Sequence, residues 1–146
     1  MSFHYKYQRI LDVREVQKKA VEGELSTVRK RAEEVEEQTL QLDFTIQQLE
    51  LEKQQQVQQG IRIHQLQQYH HHELYMNQQL QLSKFHQNQL TQQVTAAEEK
   101  VVQASSETKK WDRLKEKAQQ LFHSERTQAE QKFADEMTLL RLGAER

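Results

Sequence analysis

From residue 4 to residue 140 the chain places apolar side chains at alternating spacings of three and four, and the repeat breaks once, at Gly60. No proline occurs in its 146 residues. A mean spacing of about 3.5 keeps one stripe of a helix turned toward a partner helix as the two supercoil. Counted outward from Leu25, ten of the fifteen positions from His4 to Lys53 are apolar, as are fourteen of the twenty-two from Leu66 to Leu139. One break in a proline-free helical pattern predicts two long helices joined by one reversal. The fold class is therefore all-α, a long antiparallel two-helix coiled coil. Gly60 is the natural reversal point, because glycine takes a positive φ without a steric penalty. The alternative is a glycine absorbed into one continuous helix at about 1 kcal/mol, which would need a second chain along its whole length. Gly23, flanked by Val21 and Leu25, reads as a glycine tolerated inside a helix.

The pattern predicts a single hairpin over residues 1–146, with helix one at about 3–56, the turn at about 57–62 and helix two at about 63–142. Ser2 is the candidate N-cap of helix one. The arms are unequal. Folding back at Gly60 puts residue 4 opposite roughly residue 116, so helix two outruns helix one by some 25–30 residues. Phe122, Phe133, Met137, Leu139 and Leu140 are then left without a seam partner. Leu114, Leu121, Phe133, Met137 and Leu140 also form a second stripe near the C-terminus. An exposed apolar stripe of that size marks a docking surface; fraying beyond about residue 125 is the alternative.

Composition narrows the function. Apolar residues are 35% of the chain, charged residues 29%, and there are 26 glutamines, the usage of solvated helices and not of a thick core. The formal net charge of −1, with bases interleaved among acids as in "KEKAQQ", argues against a dedicated nucleic-acid binder. Without cysteine there is no disulfide framework and no thiolate metal site. No segment reads as a signal peptide or a membrane span, so the expectation is a soluble cytoplasmic protein.

Candidate chemistry is sparse. His70, His71 and His72 are consecutive, with His64 and His86 nearby. Adjacent helical positions point about 100° apart and cannot converge on one ion. A solvated, weakly pH-responsive patch is the expectation, and no metal or cofactor. There is no glycine-rich phosphate loop, and a two-helix rod offers no concave pocket for a catalytic set. The chain reads as a non-enzyme. The aromatics carry more information. Phe3, Tyr5 and Tyr7 alternate at the start, Trp111 is expected to pack in the seam against Tyr7 or Leu11, and Tyr75 and Phe85 lie off the seam with Leu74 and Leu82.

Three stretches carry a resemblance. The opening "FHYKYQRILDVREVQKKA", the post-turn "GIRIHQLQQYHHHELYMNQQL" and the tail "WDRLKEKAQQLFHSERTQAEQKFADEM" resemble, in order, the start, the opening of helix two and the tail of the FliJ family. FliJ proteins are coiled-coil components of the flagellar type III export apparatus. The likeness covers essentially the whole chain and looks closest to the Bacillus-like branch.

The resemblance implies a stalk that engages the export ATPase hexamer, promotes its activity, binds the linker of the membrane export-gate protein and escorts export chaperones, at the cytoplasmic face of the membrane. The family's gate-contacting patch maps onto His72, Met76, Gln79 and Ser83. Here His72 replaces an expected aromatic and Ser83 an expected histidine, and Tyr75 is a candidate for the missing ring. The seam register places Met76 and Ser83 in the helix–helix interface, in tension with that role. For the ATPase ring, the expected contacts are Arg14, Lys18, Lys19, Arg29, Lys30 and Arg31, which supply salt-sensitive capture, and Phe122, Phe133, Met137 and Leu140, which supply apolar contact. The other readings are a dimerising coiled-coil spacer and the equivalent stalk of a virulence secretion system.

Overall fold

The computed structural model describes residues 2–144. Two helices account for nearly all of them, α1 at Gln8–Gln59 and α2 at Ile63–Ala144, packed antiparallel as a helical hairpin. Gly60 has φ 86°, and its N–H donates to the Val57 carbonyl at 3.2 Å. That left-handed residue closes α1 by satisfying one of its terminal carbonyls. α2 opens three residues later in half of a capping box. The Gln65 side chain accepts from the Arg62 N–H at 3.3 Å, while the Leu66 N–H reaches the Arg62 carbonyl at 3.1 Å.

The chain divides into two compact units, one formed by Val21–Val101 and the other by Met1–Ala20 with Val102–Arg146. In the Val21–Val101 unit the seam is thin. Leu25, Leu80 and Ala97 are buried, and the other apolar seam residues, from Val28 to Leu49 and from Met76 to Val94, are half-buried. A helix with one neighbour cannot cover more of its surface than one stripe. Two pairs of polar residues on this stripe meet across it. The Thr39 hydroxyl donates to the Val35 carbonyl at 2.8 Å and lies 2.6 Å from the Ser83 hydroxyl of the facing helix. Lys53 donates to Glu73 at 3.2 Å, with both side chains largely covered.

The unit formed by the two chain ends is built on different residues. Leu11 is 2% exposed, and buried Thr108 donates to the Ala104 carbonyl at 2.8 Å and across the interface to the Arg14 carbonyl at 3.3 Å. Helix one starts at Gln8, later than the Phe3 expected from the repeat, and Ser2 caps nothing. The alternation of Phe3, Tyr5 and Tyr7 is the reason: a period of two suits an extended segment and not a helix. Tyr5 is buried, Phe3 half-buried, and His4 and Tyr7 fall off the seam they were expected to join. The Phe3 ring lies 5.5 Å from Phe122, Tyr7 lies 5.8 Å from Trp111, and Tyr5 meets Tyr7 edge-on at 5.9 Å. Trp111 thus packs against Tyr7. Phe122 is not the unpartnered residue the seam arithmetic made it, because the non-helical segment before α1 reaches as far as its ring. From His123 to Ala144 every residue of α2 is exposed.

Candidate partner-binding surfaces

His72, Met76, Gln79 and Ser83 recur at spacings of four, three and four, which confines them to one narrow stripe of α2. The stripe runs along the edge of the seam and is unevenly accessible. His72 is exposed; Met76, Gln79 and Ser83 are half-buried. The Ser83 hydroxyl is engaged with Thr39. Tyr75 projects from a neighbouring face, more than half exposed, with Leu74, Leu82 and Phe85 also exposed nearby. The four residues therefore share a stripe, yet of them only His72 is exposed, with Tyr75 exposed beside it.

His72 also lines a shallow cleft of about 380 Å³ near the reversal, with Leu49, Glu52, Gln56, Ile61 and Tyr69 among its walls. The Tyr69 hydroxyl donates to Glu52 at 3.3 Å. Partial desolvation first, and then the charge and hydrogen bond of the Glu52 carboxylate, raise the Tyr69 pKa above the ordinary tyrosine value. The seam positions supplied no signal for this pair, since Glu52 lies beside the stripe and not on it. The histidines are spread around the helix. Within the cluster His70 meets His71, ring centroids 6.3 Å apart, and His64 lies 3.3 Å from the Gln68 amide. Among the described residues no three His, Asp or Glu side chains converge as a metal site.

The basic residues expected at the ATPase divide between the two units. Arg14 is half-buried on the seam and donates to Gln17 at 3.3 Å; Lys18 is half-buried on the same stripe and Lys19 is exposed. These belong to the unit formed by the chain ends. Arg29, Lys30 and Arg31 belong to Val21–Val101. Arg29 is already committed to Glu98 at 3.1 Å, whereas Lys30 and Arg31 are exposed and in no ion pair among the described residues.

Of the apolar residues expected there, Phe122 is half-buried against Phe3, while Phe133, Met137 and Leu140 are exposed along the bare part of α2. A shallow pocket of about 320 Å³ bordered by Phe122, Glu125, Arg126 and Ala129 opens where the bare stretch begins. The seam repeat missed the clasp of Phe3, Tyr5 and Tyr7, although their period of two was the available signal. Among the described residues no helix is long and apolar enough to cross a membrane.

Over residues 3–146 the chain matches the model of the family described as the flagellar FliJ protein. No curated protein and no solved structure shows a significant match.

Proposed function

The chain belongs to the flagellar FliJ family and is thus an export-associated flagellar component, and on that premise we propose that it is the stalk of the type III export machinery. In this reading it engages the export ATPase hexamer and promotes its turnover. It links the ATPase to the membrane export gate at the cytoplasmic face of the membrane and escorts export chaperones. The observation that carries the reading is the bare stretch of α2 after Phe122. There Phe133, Met137 and Leu140 stand exposed on a helix otherwise laced with charge. Isolated apolar residues on a surface need no explanation, but a helical stripe of them marks a contact. A stalk inside a ring must touch several equivalent subunits, which suits a surface that is weakly apolar and broken by charges. Lys30 and Arg31, in no ion pair among the described residues, supply the long-range attraction that steers a partner. His72 and Tyr75 are the accessible residues for the gate.

The test is whether the protein co-purifies with a hexameric ATPase and raises its turnover, and whether the two contacts separate. Truncation after Glu125, or charge reversal at Lys30 and Arg31, should abolish stimulation of the ATPase and spare binding to the gate linker. Alanine at His72 and Tyr75 should do the reverse. An ATPase whose turnover is unchanged by the full chain would end the stalk reading.

A further inference from the structure

We propose that the bare stretch of α2 is a self-complementary surface on which two copies of this chain pair antiparallel. Ala129, Phe133, Met137 and Leu140 follow one another at spacings of four, four and three, which at 3.6 residues per turn holds them within an arc of about 80°. Phe122, the last residue of α2 that packs against the segment before α1, falls in the same arc. The interface that α1 covers farther back on the helix therefore continues, uncovered, to the end of the described residues. Phe133 is 66% and Leu140 68% exposed.

The charges flanking this stripe identify its occupant. Glu130 and Arg141 lie on one flank, Lys132 and Glu136 on the other. When two identical helices pair antiparallel, like flanks face each other. Setting Phe133 opposite Met137 of the second copy brings Ala129 opposite Leu140. It also brings Glu130 beside Arg141 on one flank and Lys132 beside Glu136 on the other. Two-fold symmetry repeats each pair, so Glu130, Lys132, Glu136 and Arg141 each meet an opposite charge. Glu130 already accepts from Arg126 at 3.3 Å, and its second carboxylate oxygen remains for the arginine of the other chain.

A parallel pair fails on space. Because the stripe continues the face that α1 covers, a parallel partner helix would run into α1. The antiparallel register sets Ala144, the last described residue, opposite Arg126, so the described residues of the second copy leave the contact of Phe122 with Phe3 in place. Each copy thus provides, for the bare helix of the other, the neighbour that α1 no longer provides. The pairing covers the stretch that the stalk reading gives to the ATPase, so it describes the chain free of the ATPase, and sedimentation of the chain alone tests it apart from that reading.

The chain has no cysteine, which makes crosslinking unambiguous. Full-length Phe133→Cys and Met137→Cys proteins, oxidised separately and as a mixture, should give a covalent dimer mainly in the mixture, and of the mixed kind. Sedimentation equilibrium of the unmodified chain should show reversible dimerisation in the micromolar range. Lys132→Glu should weaken it about tenfold, since two pairs are lost and replaced by repulsion, and Lys132→Glu with Glu136→Lys should restore it. A chain that stays monomeric through that range, crosslinks of each variant to itself, or a charge swap that fails to restore dimerisation would each overturn the proposal.

Discussion

The unit formed by the chain ends and the unit Val21–Val101 are cut from the same two helices, yet they are held differently. The first relies on shape. It contains the most deeply buried side chain, Leu11, and the aromatic contacts of Phe3, Tyr7, Trp111 and Phe122. It also leaves two buried polar atoms, the Tyr5 hydroxyl and the Trp111 ring nitrogen, without a partner among the described residues, against one in the other unit, the Glu73 oxygen that Lys53 does not reach. The second relies on matched polar groups, Thr39 with Ser83 and Lys53 with Glu73, spaced along a seam of mostly half-buried aliphatics. A two-helix seam has little area from which to draw hydrophobic stabilisation. Aromatic contact raises the area per residue at one place. Paired polar residues set the register at the other, since a slip would leave each of them buried and unmatched.

The sharpest way to break this contrast is to remove Leu11. Leu11→Ala should cost about 3 kcal/mol in urea unfolding, and the fluorescence of Trp111, the only tryptophan, should report the change. A loss below about 1 kcal/mol would show that the aromatics, and not Leu11, anchor that unit.

The next largest effect is expected at the charged pair. Glu73→Ala should cost about 2 kcal/mol, because it strands the covered Lys53 ammonium, while Lys53→Met with Glu73→Met should recover most of the loss. If the double replacement were as damaging as the single one, the pair would be contributing more than register.

Gly60→Ala tests the reversal. Nothing lies within 4 Å of the added Cβ, so only the positive φ opposes it, at about 1 kcal/mol. A neutral result would mean that the turn relaxes out of the left-handed region.

The smallest effect is a pH dependence. The Tyr69 phenol, pushed up chiefly by desolvation and then by Glu52, binds its proton more tightly in the folded chain than in the unfolded one. Its contribution is complete below the ordinary tyrosine range and is lost as pH rises through the elevated value. The phenolate absorbance of Tyr69→Phe should lack a component that titrates above the ordinary tyrosine range in the parent, and the mutant should lose less stability than the parent at high pH. An unchanged titration curve would place Tyr69 away from Glu52 in solution.

Much of this architecture was legible because it is periodic. From Leu11 to Lys53 and from Tyr69 to Phe122 every position of the counted repeat is buried or half-buried, Lys53, Glu73 and Lys115 included. Spacing along a helix decides which residues face the partner whatever their chemistry, so even charged residues in phase were placed inside. The repeat erred where it was extended past the helix: His4 and Tyr7 were counted in phase, but the chain there is not helical. The candidate contacts were legible only as positions. His72, Met76, Gln79 and Ser83 share a stripe by spacing alone, while the difference between exposed His72 and engaged Ser83 depends on Thr39, 44 residues away in the chain.

By itself the sequence determined the helical class, the reversal at Gly60 and the inequality of the arms, because each follows from local spacing or from the backbone freedom of one residue. Tertiary structure alone decided which polar seam residues find each other, that the segment before α1 leaves the helix to pack Phe3 on Phe122, and that Glu52 meets Tyr69. Those contacts join residues far apart in sequence, and their energies depend on distances of a few ångströms that no pattern along one chain encodes.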